Sequence, residues 1–143
     1  MNDKDVAVHW SFWAIGAVAL LWNLTGVINY FAQMSTEVVV AMPETARAII
    51  DGRPAWATGG FAIAVFGGTL GGLLLLLRKS GAYYLFIASL LGVMVTMIHT
   101  VGIASSTIDF SLFEIVMMIL MPLVVAAILI WYSKQAENKG WIS

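Results

Sequence analysis

Cysteine is absent from this 143-residue chain, which excludes disulfide frameworks, thiol catalysis, iron–sulfur clusters and thiolate zinc sites. Charge is nearly as scarce. Seven Lys/Arg and eight Asp/Glu make up 10% of the residues, against 61% hydrophobic, and the formal net charge is −1. Ordinary soluble domains carry roughly 25% charged and 45–50% apolar residues, so a water-facing surface cannot be built from this composition. A basic nucleic-acid-binding face is excluded for the same reason. Disorder is excluded too, because it requires low hydrophobicity. What the chain has in abundance is apolar sequence, the mark of an integral protein of the lipid bilayer.

Four apolar runs, at residues 10–31, 55–77, 83–104 and 112–131, leave fourteen of the fifteen charged residues outside them. As helices rising about 1.5 Å per residue, they reach roughly 30–35 Å and cross a hydrocarbon core of about 30 Å. Strands are excluded, since the runs are apolar on every side and lack alternation. The lone intruder is Glu114, at the start of the fourth run. The first run has the length of a retained helix. Its flank Asn2-Asp3-Lys4-Asp5 is net acidic and no A-x-A-type cleavage site follows, so it does not read as a signal peptide.

An even number of spans places both termini on one side. That side carries Lys4, Arg78, Lys79, Lys134 and Lys139, and the other only Arg47 and Arg53. The bias favours both termini in the cytoplasm. Trp10, Trp13, Tyr83, Tyr84, Trp131 and Tyr132 fall near the inner interface, with Tyr30 and Trp56 near the outer one.

Arg78-Lys79-Ser80-Gly81 is a tight turn that makes the second and third spans antiparallel neighbours. The long first loop, residues 32–54, has room for structure of its own. Pro43 suits a first helical turn, Glu44 its N-terminal end, and Asp51-Gly52 its termination. Met42, Ala46, Ile49 and Ile50 share one face, so a short amphipathic helix on the outer surface is expected. In the second span, Gly67/Gly71 and Gly68/Gly72 form two small-xxx-small pairs that let another helix approach closely. That partner is either a helix of the same bundle or one of a second subunit.

Polar side chains within the spans are few. Ser89, Gly92, Thr96 and His99 step along one face of the third span, while Asn23, Asn29 and Gln33 descend the first toward the outer side. Counted by depth, Asn29, Gln33, His99, Asp109 and Glu114 share one leaflet. With Asn23 and Thr96, the amides and His99 form the candidate intramembrane cluster, because polar groups in membrane helices tend to face the bundle interior. Such residues also serve simply as interhelical hydrogen bonds. Ser111-Leu112-Phe113-Glu114 matches the S-x-x-E capping box, which accounts for Glu114 structurally. Pro122 is expected to kink the fourth span, and Met94, Met97, Met117, Met118 and Met121 to provide adaptable packing.

Several chemistries are disfavoured. His9 and His99 lie toward opposite faces and cannot share one haem or metal, and no span contains the lysine a retinal Schiff base requires. No Ser/His/Asp order or close carboxylate pair lies in the membrane. The residues imply no cofactor and no catalytic group, so the expectation is a non-enzyme.

Across most of its length the chain resembles a family of small four-helix bacterial inner-membrane proteins. The resemblance is carried by Leu21-Trp22-Asn23-Leu24, Met42-Pro43-Glu44, Arg53-Pro54-Ala55-Trp56-Ala57-Thr58, the stretch from Phe61 to Gly68, the leucines ending in Arg78-Lys79, and Lys139-Gly140-Trp141. Members often carry the provisional label "sugar transporter". The resemblance implies a bacterial inner-membrane location.

The sequence therefore predicts an all-α membrane protein. A single domain, residues 1–143, forms a four-transmembrane-helix antiparallel bundle with a short amphipathic helix in the first outer loop. Two functional classes stand open. One is a non-enzymatic accessory protein acting through contacts with a larger membrane partner or its own copies. The other is a small oligomeric transporter or binder of an uncharged solute such as a sugar.

Overall fold

Backbone groups in hydrocarbon must pair within their own segment, and each of the four apolar runs folds as a helix. The computed structural model describes residues 7–106 and 109–143. The acidic flank with Lys4, and Thr107 and Ile108 of the loop before the fourth span, lie outside the described residues. The helices are α1 (Trp10–Ala32), α2 (Thr36–Val40), α3 (Glu44–Ile50), α4 (Ala55–Leu76), α5 (Gly81–Ala104), α6 (Leu112–Ile115) and α7 (Met121–Asn138). A π-helical turn at Val116–Leu120 joins α6 to α7, making Leu112–Asn138 one continuous fourth span. Four helices are thus long and apolar enough to cross a membrane. Large apolar side chains such as Val18, Ile28, Ile98 and Ile128 lie exposed on their outward faces, as expected where the surrounding medium is lipid.

Helix α4 packs along both α1 and α5, and α5 also packs along α7, whereas α1 and α7 barely meet. The bundle is an incomplete ring. At the end carrying the chain termini, Phe12 closes the gap by packing against Tyr132 and Trp141, over a core that includes Leu75, Phe86 and Ile142. At the opposite end, α3 folds over the mouth with α2 packed beside it; we call this the lid end.

The two glycine pairs of α4 serve two different neighbours. A Cβ at Gly68 would strike the Asn23 amide, and one at Gly72 would approach the Leu20 backbone to 3.2 Å, so this pair faces α1. Added at Gly67 or Gly71, it would meet the Leu85 carbonyl oxygen at 3.4 Å or the Phe86 ring at 2.7 Å, so that pair faces α5. The closest crossing of α4 and α5 sits at Gly92, where a Cβ would lie 2.5 Å from the Gly60 oxygen and 2.6 Å from the Ala64 nitrogen.

The turn between α4 and α5 is as tight as its length requires. Arg78 adopts φ 60°, the left-handed conformation that ends a helix. The Lys79 N–H reaches back to the Leu74 oxygen at 2.8 Å and the Arg78 N–H to that of Leu75 at 2.9 Å. The Arg78 Nε then donates to the Trp141 oxygen at 2.7 Å, and the Ser80 N–H donates to the Ser143 oxygen at 3.0 Å. The C-terminal strap is thereby tied to the turn.

Three expectations need adjustment. Pro43 caps α3 from outside and Glu44 begins it, while α2 is a helix that residue periodicity did not reveal. The fourth helix runs to Asn138, seven residues past its apolar run. At Pro122 the helix widens just upstream. The Met121 N–H bonds the Val116 oxygen, five residues back, leaving room where the proline ring would crowd the carbonyl four residues before it.

Candidate functional site

A cavity of about 480 Å³ lies among α1, α4, α5 and the fourth span beneath the lid. From α1 it is lined by Trp22, Asn23, Thr25, Asn29 and Gln33, and from α5 by Ser89, Val93, Thr96, Met97 and Thr100. Met117, Met118 and Pro122 line it from the fourth span, beside the π turn. The missing seam between α1 and α7 is what leaves this space unfilled.

Its roof is α3. Met42, Ala46, Ile49 and Ile50, the apolar face expected from the sequence, all look into the cavity. Among the described residues, two side-chain hydrogen bonds hold the roof down. The Thr45 hydroxyl donates to Glu114 Oε1 at 2.6 Å, and His99 Nε2 lies 2.9 Å from the Ile49 oxygen. A carbonyl only accepts, so His99 Nε2 is the donor in this contact. Ile49 lies in the last turn of α3, where carbonyls have no intrahelical partner, and His99 supplies one. Glu114 serves two elements at once. Its Oε2 accepts the Ser111 N–H at 2.9 Å, while the Ser111 hydroxyl accepts the Glu114 N–H at 3.2 Å, completing a capping box. Glu114→Ala is expected to lower the unfolding midpoint in a detergent melt, because cap and roof bond are lost together. Glu114→Gln keeps one acceptor oxygen for the Ser111 N–H and turns its NH2 toward the Thr45 hydroxyl, which can accept, so its loss is expected to be the smaller of the two.

Four of the five residues of the candidate intramembrane cluster therefore share the cavity wall: Asn23, Asn29, Gln33 and Thr96. His99 is elsewhere. Three residues beyond Thr96 it falls about 60° short of a full turn, beside α4, with its ring edge-on to Trp56 at 6.5 Å. Asp109 is exposed. Depth along a helix places residues in one leaflet, but the angle around the helix decides which of them meet.

Most of the deep polar groups are already occupied. Ser89 donates to the Ala64 oxygen at 2.6 Å, Thr96 to that of Gly92 at 2.9 Å, and Thr100 to that of Thr96 at 3.2 Å. The Asn23 amide donates to the Ala19 oxygen at 2.8 Å and packs on Gly68. Toward the lid the situation reverses. No bond within the described residues engages the Asn29 or Gln33 amides, and Gln33 Oε1 is buried without a partner.

Beside them stands Arg53, the one charged residue on the cavity wall among the described residues and absent from the sequence-derived cluster because it lies in a loop. Its Nε donates to Thr58 at 3.2 Å, and its guanidinium lies over Phe61, 5.3 Å from the ring centre. No carboxylate pairs with it among the described residues. Partial burial lowers its pKa from the ordinary value, but the group stays protonated.

A second, almost wholly apolar groove of about 410 Å³ occupies the gap between α1 and α7. Ala14, Ile15 and Val18 form one side and Met121 and Ile128 the other, and Trp22, Val125 and Leu129 border both groove and chamber. Comparison with protein families, curated proteins and solved structures finds no match to this chain.

Proposed function

We propose that this multi-pass membrane protein acts without catalysis, as a binder or carrier of a small molecule held in the roofed chamber. One observation carries the reading: unengaged amides of Asn29 and Gln33 face a cavity of about 480 Å³ that also takes in Asn23 and Thr96. That volume falls within the ordinary range for small-molecule sites. Both glycine pairs of α4 are occupied by α1 and α5, which removes the main sequence argument for a protein acting only through contacts with a partner. The cation bias, with Arg78, Lys79, Lys134 and Lys139 at the terminal end and Arg47 and Arg53 at the lid end, supports an outward-facing lid and cytoplasmic termini. The resemblance to small bacterial inner-membrane proteins supports the same placement.

Native mass spectrometry of protein extracted from its own membranes tests this reading. The wild type is expected to release a bound small molecule. In the double variant Asn29→Leu/Gln33→Leu, occupancy falls roughly tenfold or more, the loss expected from two hydrogen bonds, at unchanged helicity. A wild type with no releasable molecule, and no stabilisation across a small-molecule panel, would overturn it.

A further inference from the structure

We infer that the occupant is a single-chain amphiphile with an anionic head, which enters sideways from the bilayer. Its head lies against Arg53, Asn29 and Gln33, and its chain lies along the groove between α1 and α7. The inference rests on the binding function proposed above and names the class of ligand.

Charge argues for the head. The lid end of the chamber offers hydrogen-bond donors from two amides and a guanidinium, while among the described residues no carboxylate is there to balance Arg53. A half-buried guanidinium is best satisfied by anionic oxygens, which it meets with paired, directed N–H groups. A purely neutral solute would leave that charge uncompensated.

Shape argues for the chain. The groove is apolar, is bordered by one helix on each side, and runs up to the chamber at Trp22, Val125 and Leu129. Along α1, the stretch from Asn29 to Ala14, the far end of the groove, covers about 22 Å at 1.5 Å per residue, more than the roughly 15 Å depth of one leaflet. A long chain with its head at the lid-end interface therefore reaches the groove at Trp22, about 10 Å down, and follows it past the midplane. Access argues for the sideways route. The α3 roof is bonded at Thr45 and Ile49, whereas α1 and α7 have almost no seam to break.

The full chain in phosphatidylcholine nanodiscs supplies the test, with bound fractions measured for hexadecyl phosphate, hexadecanol and inorganic phosphate. Hexadecyl phosphate is expected to bind saturably, one per chain, with hexadecanol and inorganic phosphate each at least roughly tenfold weaker. Arg53→Gln should remove the preference for hexadecyl phosphate over hexadecanol. Ala14→Phe, at an exposed position on the groove wall, should weaken both long-chain probes and leave inorganic phosphate unchanged. Circular dichroism confirms that both variants are folded. Equal binding of the phosphate and the alcohol, or no effect of Arg53→Gln, overturns the anionic head. Inorganic phosphate binding as tightly as hexadecyl phosphate, or no effect of Ala14→Phe, overturns the chain. If no probe binds while the native protein releases another molecule, this inference fails and the binding function stands; if nothing is released either, both fail.

Discussion

Gly92→Ala lowers the stability of the bundle by about 3 kcal/mol, at the upper end of the usual cost of overpacking. The added methyl would sit 2.5 Å from the Gly60 oxygen and 2.6 Å from the Ala64 nitrogen, and both are backbone atoms. No rotamer change relieves such a contact, so α4 and α5 must separate. In lipid that separation is costly, because helices there are held by close packing and not by exclusion from water. The same contact also supports Ser89, whose hydroxyl crosses to the Ala64 oxygen. Gly102, on the same helix, has nothing within 4 Å of its Cβ position. Gly102→Ala is therefore expected to be neutral or stabilising by up to about 1 kcal/mol through helix propensity alone. Reversible unfolding in mixed detergent measures both. Equal stability of the two variants would show that the helices do not cross at Gly92 as described.

Releasing the roof has the second large effect. Because the chain contains no cysteine, Thr100→Cys introduces a unique thiol on the chamber wall, at a position only 3% exposed. A water-soluble thiol reagent should label it slowly. Adding Thr45→Val and His99→Phe removes both of the side-chain bonds described for α3 and leaves it held by its apolar packing and its neighbours in the chain. Labelling should then accelerate roughly tenfold or more, as expected when two hydrogen bonds no longer oppose opening. Thr45→Val alone or His99→Phe alone should give an intermediate rate. An unchanged rate in the triple variant would mean that α3 is not held over the chamber by these contacts.

Local features of this molecule were legible in its sequence. The four spans are continuous apolar runs, and in lipid such runs have one backbone solution. The apolar face of α3 is set by residues within nine positions of one another, and a capping box needs only four consecutive residues. The tight turn at Arg78 follows from the lack of chain to make any other. What the sequence concealed depends on rotation and on distance along the chain. Thr45 and Glu114 are 69 residues apart, and nothing in either neighbourhood announces the other. His99 shares a depth with Asn29 and Gln33, yet the helical angle turns it away from the chamber and toward the roof. Arg53 was counted as a loop cation for orientation, while the fold brings that loop to the chamber wall. The groove between α1 and α7 is a property of a missing contact, and residues record contacts better than their absence.

That missing contact gives the molecule a lever. The α4–α5 pair forms a keel, and α1 and the fourth span are arms, each fastened to one side of it. The arms are pinned to each other where Phe12 meets Tyr132 and Trp141. Helix α1 has 23 residues and so is about 35 Å long. A pivot of about 5° at the pinned end would swing its far end by about 3 Å, roughly two residues of helical rise. Tilting one arm changes the aperture of the groove without breaking an interface between the arms, so small bends of a single helix set its width.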